Sequence, residues 1–313
     1  MASSIYLWLY GGYGDCVCAY FNGGGGINNV IAPGKNGKGS MHWDRLISIK
    51  KTNPRIITRA IVISGNPASA LLVSSNPYID EVVRIPTLRN INTVNKKVKK
   101  YILQHIISHK DIDTFVVNNK HKHKFKQITN KIYLNTIEEN VYKDVIEQTN
   151  GKYIVIHPYA SIKTRKPVHD SEYVTLAEKI YQKTGLKSII LGGSFNKKSI
   201  LDDGTQLNST VSENFCYESD KIINFVNSST LPLGTYIVSG AAAVIGTWSC
   251  HTTVGMALCK PTVIYTTQRA TTFLNKIKAR KFKQGALINK TFITNDITDK
   301  ITDETILHIS KYL

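Results

Sequence analysis

Residues 237 to 265 hold the densest set of side chains able to do chemistry in this 313-residue chain. An apolar run, Ala241 to Ile245, ends at Gly246. A small polar cluster follows: Thr247, Trp248, Ser249, His251, Thr252 and Thr253. Helix formers then run to Leu258, Lys260-Pro261 stops them, and a β-branched run extends from Thr262 to Tyr265. The pattern reads as strand, glycine turn, helix, loop, strand. In an open α/β sheet the turn after a strand lies at the carboxyl edge, where ligands bind. A helix that starts there offers unpaired N–H groups and the positive end of its dipole, which suits a phosphate. Within the cluster, His251 is a candidate contact to such a ligand. Trp248 either stacks on a base or sugar or plugs the core.

Two further turns carry candidate groups. Tyr153 to His157 reads as a strand ending at Pro158, with Ser161, Lys163, Arg165 and Lys166 in the loop after it. Near the amino end, Gly11-Gly12-Tyr13-Gly14-Asp15 follows the apolar run Ile5 to Tyr10. Its glycines permit a tight turn and close approach to the backbone. An Asp at the first turn of a helix is also a favoured cap and dipole partner.

The elements that must position these turns alternate along the chain. In the first half, strands are expected at Ile5 to Tyr10, Ala60 to Ser64, Ile79 to Ile85 and Thr114 to Val117, with a short one at Ile132 to Leu134. Helices are expected at Cys16 to Phe21, Pro67 to Ser75 and Val94 to His109, the last amphipathic and basic. In the second half, strands are expected at Tyr153 to His157 and Ser188 to Leu191, the latter ending in Gly192-Gly193-Ser194. A helix over Ser171 to Thr184 closes on Gly185 as its C-cap. Helices are also expected at Asp220 to Asn227, Thr235 to Ala242 and Asp303 to Leu313. Two successive sets of alternating strands and helices predict an α/β protein of two Rossmann-like parallel-sheet domains facing a cleft, residues 1–149 and 150–313.

Residues Gly246 to Pro261 resemble the signature of glycosyltransferase family 9, the heptosyltransferases, which have the GT-B fold. Gly246, Ser249, Ala257, Leu258, Lys260 and Pro261 stand in register with it. Trp248 stands where the family has Asp, Cys250 replaces Gly and Thr253 replaces His, so the family's nucleotide and sugar preferences do not carry over. Asn76-Pro-Tyr-Ile-Asp-Glu-Val-Val is similar to a phrase leading into the family's third strand. Lys166, Tyr173 and Leu176 keep the spacing that follows the first strand of the family's second domain, where a Lys contacts the donor diphosphate. The resemblance thus gives Lys166 that role, which Lys163 and Arg165 could share. An ammonium there neutralises charge growing on a leaving diphosphate. Gly12-Tyr13-Gly14-Asp15 resembles the family's loop after the first strand, whose Asp is the proposed general base. In an inverting transfer that carboxylate takes the acceptor hydroxyl's proton as its oxygen attacks the anomeric carbon.

The resemblance implies a nucleotide-sugar donor, held by Gly12, Gly14, Ser161, Lys163, Lys166, Gly193, Thr247, Trp248, Ser249, His251 and Thr252, and no metal requirement. Asp111-Ile-Asp113 has the spacing of a metal-binding pair but precedes a strand, where paired Asp more often serve a turn. His121 and His123 lie in a Lys-rich stretch and read as surface groups. Cys16-Val-Cys18 lacks a second half and reads as helix packing rather than a zinc pair.

Composition bounds the partners. Lys and Arg number 40 against 22 Asp and Glu, a net charge of +18, which points to a polyanion or to simple solubility. The charge is concentrated, with Lys96, Lys97, Lys99 and Lys100 in one block and Lys276 to Lys283 in another. The lysine block and the departures at Trp248, Cys250 and Thr253 favour DNA as acceptor, a hydroxymethylated pyrimidine flipped out of the stack, as in GT-B enzymes of bacteriophages. Lipopolysaccharide core synthesis is the alternative that the resemblance implies. A non-catalytic nucleic-acid-binding protein on a GT-B scaffold is a third reading. No run reaches the roughly 18 apolar residues of a membrane helix, and the first residues read as a strand rather than a signal peptide. Five cysteines without framework spacing fit a reducing cytoplasm, the host's for a phage-encoded enzyme.

Overall fold

The structure, a computed structural model, describes residues 4–10, 50–63, 68–74, 76–85, 134, 136–159, 168–192, 219–226, 228–271 and 288–313. Its chain contacts divide into two compact units, one of Met1–Tyr133 with Leu201–Thr205 and one of Leu134–Ile200 with Gln206–Leu313.

In the first unit, β1 (Ser4–Tyr10), β2 (Ile57–Ile63) and β3 (Glu81–Ile85) form a parallel sheet in that spatial order. Parallel neighbours need a crossover, and α1 (Ala68–Ser74) supplies it between β2 and β3. The Asn76-to-Val83 phrase builds the turn into β3. The Asn76 side-chain oxygen accepts from Tyr78 N–H at 2.9 Å. Asp80 accepts from Thr58 N–H at 2.7 Å and from Lys50 Nζ at 2.6 Å, which ties the turn to the start of β2.

The second unit is built on six parallel strands: β4 (Tyr153–His157), β5 (Lys187–Gly192), β6 (Ile222–Val226), β7 (Ala243–Thr247), β8 (Thr262–Thr266) and β9 (Asn289–Ile293). They lie in the order β6-β5-β4-β7-β8-β9. Every residue of β4, β7 and β8 is buried, as expected of central parallel strands covered on both faces. Alternate residues face opposite layers. Ile154 and Ile156 join Tyr173, Leu176 and Ile180 of α3 (Asp170–Thr184) and Ile306 and Ile309 of α6 (Asp299–Ser310) in one apolar cluster. Each such fully buried side chain contributes about 1.5–3 kcal/mol. Tyr153 faces the other layer, where its hydroxyl donates to the Ile237 carbonyl at 2.8 Å in α4 (Leu231–Gly240). The same layer holds α5 (Cys250–Ala257), packed on α4 and β7, and α2 (Thr136–Thr149), packed on α4. Thus α2 falls in the second unit, across the 149/150 boundary read from the sequence. No helix among the described residues is long and apolar enough to cross a membrane.

Several elements differ from the sequence reading. Asp220 to Asn227 is expected as a helix, but Ile222–Val226 is strand β6, paired in parallel with β5 from Ser188↔Ile222 to Gly192↔Val226. The stretch Ile-Ile-Asn-Phe-Val is β-branched and aromatic, so it suits a pleated edge position better than a helix. Helix α4 begins at Leu231 rather than Thr235, because the Thr230 side chain caps it, accepting from Leu233 N–H at 3.2 Å, with Pro232 in the first turn. Helix α6 likewise begins at Asp299 behind Thr298, whose side chain accepts from Ile301 N–H. Gly185 caps α3 in the left-handed conformation, φ 72°, as expected. Leu134 is irregular, and the other residues of the strand expected at 132–134 lie outside the described residues. So do the expected elements at 16–21, 94–109 and 114–117.

Candidate functional site

The strand order of the second unit places its site. Counting only that unit's strands, β6-β5-β4-β7-β8-β9 runs 3-2-1-4-5-6, so the order reverses between β4 and β7. The helices that follow those two strands, α3 and α5, lie on opposite faces of the sheet, and ligands bind outside the carboxyl ends at such a switch point. The residues there are His157 on β4 and Gly246 and Thr247 on β7, in register His157↔Gly246. Gly246 has φ 152° and lies against the His157 backbone so closely that a Cβ would overlap the carbonyl oxygen. No side chain fits, which is the physical reason for glycine at this turn.

Beyond Gly246 the polar cluster is spent largely on shaping the turn. Thr247 is fully buried, and its hydroxyl lies 3.0 Å from Tyr173 Oη while donating to the Pro158 carbonyl at 3.2 Å. Thr252 is also fully buried. Its hydroxyl accepts from Ser249 N–H and donates to the Thr247 carbonyl, both at 2.9 Å, and so caps α5. Thr253 Oγ1 donates to the Ser249 carbonyl at 2.6 Å. Trp248 is 4% exposed and packs inward, the core-plug alternative of the two left open by the sequence. Ser249 is only partly buried and stands at the N-cap of α5. The opening N–H groups of α5 have no intrahelical acceptors, because of their position, and the dipole end adds positive potential.

Two histidines and a cysteine meet under this turn. His157 Nδ1 lies 2.8 Å from the Leu191 carbonyl at the end of β5, so it carries the proton and donates. Its Nε2 is left to accept from the Ser249 hydroxyl at 2.9 Å. His251 Nδ1 lies 3.1 Å from His157 Nδ1 and 3.5 Å from Cys250 Sγ. Burial pushes His157 down to about 4, against the opposing hydrogen bonds to the Leu191 and Tyr159 backbone. Burial, and then the neighbouring His157, hold His251 well below the usual histidine range. Burial pushes the Cys250 thiol up to about 11. Both imidazoles are therefore neutral, and the thiol keeps its proton in the metal-free protein. The Ser249–His157 pair has a backbone carbonyl, not a carboxylate, behind the imidazole, so it lacks the third member of a hydrolytic triad.

His157, Cys250 and His251 each offer a ligand atom, and these atoms lie within 4.8 Å of one another. The sequence reading does not bring them together. It assigns His251 to the donor, treats Cys250 as a departure from a glycine and takes His157 as part of a strand-end turn. Cys250 and His157 are 93 residues apart, and only the β4–β7 pairing makes them neighbours. The spacing of Cys250-His251 alone carries no metal-site signal.

The other residues singled out by sequence lie outside the described residues: Gly12, Gly14, Asp15, Lys96, Lys97, Lys99, Lys100, Asp111, Asp113, His121, His123, Ser161, Lys163, Lys166 and Gly193. The strands that precede three of these turns are described. They are β1, ending at Tyr10, β4, ending at His157, and β5, ending at Gly192.

No protein-family model and no curated protein matches this sequence. Solved structures do. The structure of an E. coli ADP-heptose lps heptosyltransferase II superposes with a TM-score of 0.52 at 9% identity, covering 100% of this chain and 98% of that one. The E. coli heptosyltransferase WaaC with ADP-2-deoxy-2-fluoro heptose gives 0.48 at 10% identity, over 99% and 100%. A glycosyl transferase family 9 structure from Veillonella parvula DSM 2008 gives 0.47 at 10%, over 99% and 92%. The first of these likenesses shows the fold. The chain is an α/β protein of two parallel-sheet units, the fold class that the heptosyltransferase resemblance implies.

Proposed function

We propose that this chain is an inverting, nucleotide-sugar-dependent glycosyltransferase. The observation that carries the reading is the coincidence of two things. The stretch resembling the heptosyltransferase signature, Gly246 to Pro261, is also the turn and helix start at the switch point of a 3-2-1-4-5-6 sheet. Sequence pattern and topology thus both support this turn as the seat of a diphosphate. In this reading the opening N–H groups of α5 receive the donor diphosphate, with Ser249 at the N-cap lining its seat. Thr247, Trp248, His251 and Thr252, all buried, act by holding the turn in shape. Ser161, Lys163 and Gly193 border the diphosphate from the neighbouring loops, and Gly12 and Gly14 let the acceptor approach.

The reaction needs few groups. The acceptor oxygen attacks the anomeric carbon, the bond from that carbon to the diphosphate oxygen breaks, and configuration inverts. Asp15 takes the acceptor proton. Lys166 meets the charge that accumulates on the departing diphosphate. Lys166→Ala should therefore lower turnover and weaken nucleoside diphosphate binding together. Calorimetry on the folded variant checks it: unchanged diphosphate affinity would remove Lys166 from the donor site and leave the reading without its main cation.

The net charge of +18 supports an anionic acceptor. The finer reading is a hydroxymethylated pyrimidine in DNA, with Lys96, Lys97, Lys99 and Lys100 on phosphates. Each neutralised phosphate lowers the slope of log affinity against log salt by about 0.9, so alanine at all four lysines should flatten it by up to about 3.6. Filter binding of a labelled duplex across a salt series reads this, and an unchanged slope would take the block out of the interface. The lipopolysaccharide core is the second reading, favoured by the likeness to the E. coli ADP-heptose lps heptosyltransferase II. It predicts no duplex binding at physiological salt and a mass gain on the glycan.

A further inference from the structure

We propose that His157, Cys250 and His251 form a binding site for a divalent cation of the zinc class. Zinc takes nitrogen ligands at about 2.0–2.1 Å and thiolate at about 2.3 Å in tetrahedral array, which sets ligand-to-ligand separations of about 3.3 Å (N to N) and about 3.6 Å (N to S). His251 Nδ1 stands 3.5 Å from Cys250 Sγ, already at that spacing. Cys250 Sγ and His157 Nε2 are 4.0 Å apart, within a small side-chain rotation of it. Each of the three residues offers a ligand atom within 4.8 Å of the others, and the two imidazoles meet with centroids 4.5 Å apart.

The surroundings fit ligation. His157 Nδ1 donates to the Leu191 carbonyl at 2.8 Å, which fixes the tautomer and presents the Nε2 lone pair to the site. Histidines bound to metal usually have their other nitrogen held in this way. Ser249 Oγ, 2.9 Å from that Nε2, lines the remaining position. His251 offers Nδ1, while its Nε2 is buried without a hydrogen-bond partner. Gly234 lies against that nitrogen, where a Cβ would come within 2.6 Å. Packing against Gly234 thus blocks Nε2 from ligation and leaves Nδ1, the nitrogen that faces Cys250 and His157, as the ligand atom of His251. The ligands come from both sides of the switch point, one on β4 and two in the first turn of α5, so a bound ion clips the two central strands together at their carboxyl ends.

A cation at a helix N-terminus meets repulsion from the dipole, and the Cys250 thiolate offsets it. On binding, the thiol loses its proton to solvent, the sulfur–metal bond forms, both imidazoles ligate neutral and no electrons are transferred. Soft sulfur with two imidazoles selects zinc over the hard, oxygen-seeking magnesium and calcium. The site holds irrespective of which sugar or acceptor the chain uses.

The test uses the full chain without a histidine tag. After equilibration with zinc and dialysis, elemental analysis should find one zinc per chain. Cobalt in its place should give an intense near-ultraviolet thiolate-to-cobalt band and the visible bands of a tetrahedral site. Cys250→Ser should abolish the near-ultraviolet band, while Cys259→Ser should retain it. In the unmutated chain, zinc should protect Cys250 from iodoacetamide, read by peptide mass spectrometry, so the proposal does not depend on a variant's folding. Less than a tenth of an equivalent of zinc, a thiolate band that survives Cys250→Ser, or equal alkylation of Cys250 with and without zinc would each overturn it.

Discussion

Asp15→Asn should lower the rate of sugar transfer by 10²–10⁴-fold, the scale for removing a general base, while donor affinity stays within a factor of two. The substitution keeps the shape of the side chain and its ability to accept a hydrogen bond at a helix start. It removes only the capacity to take a proton. The barrier rises by about 3–5 kcal/mol, from about 1.4 kcal/mol per tenfold. Asp15 follows β1 (Ser4–Tyr10), the strand that pairs with β2 from Ser4↔Ile57 to Tyr10↔Ile63. A residue that served only as a cap would behave differently. Its loss would cost about 1 kcal/mol of stability and little rate. Turnover near that of the unmutated enzyme, with a lowered melting temperature, would make Asp15 a cap and leave the transfer without its base.

Gly246→Ala should destabilise the second unit by about 3 kcal/mol or more, combining overpacking of roughly 1–3 kcal/mol with backbone strain of about the same size. The new methyl would overlap the His157 carbonyl oxygen, at a backbone φ of 152° that L-residues avoid. At about 2–4 °C per kcal/mol for a domain of this size, the melting temperature should fall by about 6–12 °C. Gly185→Ala is the matched control. Its φ is 72°, but nothing lies within 4 Å of the added carbon, so only the conformational term, about 1–2 kcal/mol, is lost. A Gly246→Ala protein no less stable than Gly185→Ala would mean that β4 and β7 do not meet as closely as described. His157 ends β4 and the first turn of α5 follows directly on β7, so the loss should extend to diphosphate and metal binding.

The central elements of the second unit are legible in the sequence because each is a short apolar run closed by a breaker. Gly246 ends β7, Lys260-Pro261 ends the α5 stretch and Gly185 caps α3. Edge elements are less legible. Strand β6 reads as a helix because Asp220 and Lys221 ahead of it look like a helix start, whereas pairing with β5 decides the outcome. Strand β9, Asn-Lys-Thr-Phe-Ile, is half polar, and its parallel pairing with β8 is a tertiary fact with no local signal. Helix α2 is weakly amphipathic, with only Val145 and Thr149 buried, and the sequence reading passes it by.

The site shows the same division. That a turn at Gly246 should lie at a carboxyl edge follows from the strand-helix pattern. That Thr247 and Thr252 spend their hydroxyls on Tyr173, Pro158 and the Ser249 and Thr247 backbone follows only from packing. Polar residues at a ligand-binding turn look alike in sequence whether they face the ligand or build the turn. The convergence of His157 with Cys250 and His251 depends on β4 lying beside β7, two strands that are not consecutive in the chain.

The most direct measurement of the central claim is transfer itself. The chain would be incubated with a panel of nucleotide-sugars and, in separate arms, a hydroxymethylated DNA duplex or a lipopolysaccharide core. Nucleoside diphosphate release and acceptor mass would be followed together. The account predicts that one donor gives diphosphate release matched by a single-sugar mass increment on one acceptor, with inverted configuration at the anomeric carbon. Neither release nor increment with any donor, from a folded chain that still binds the duplex, would contradict it and leave a nucleic-acid-binding protein on a GT-B scaffold.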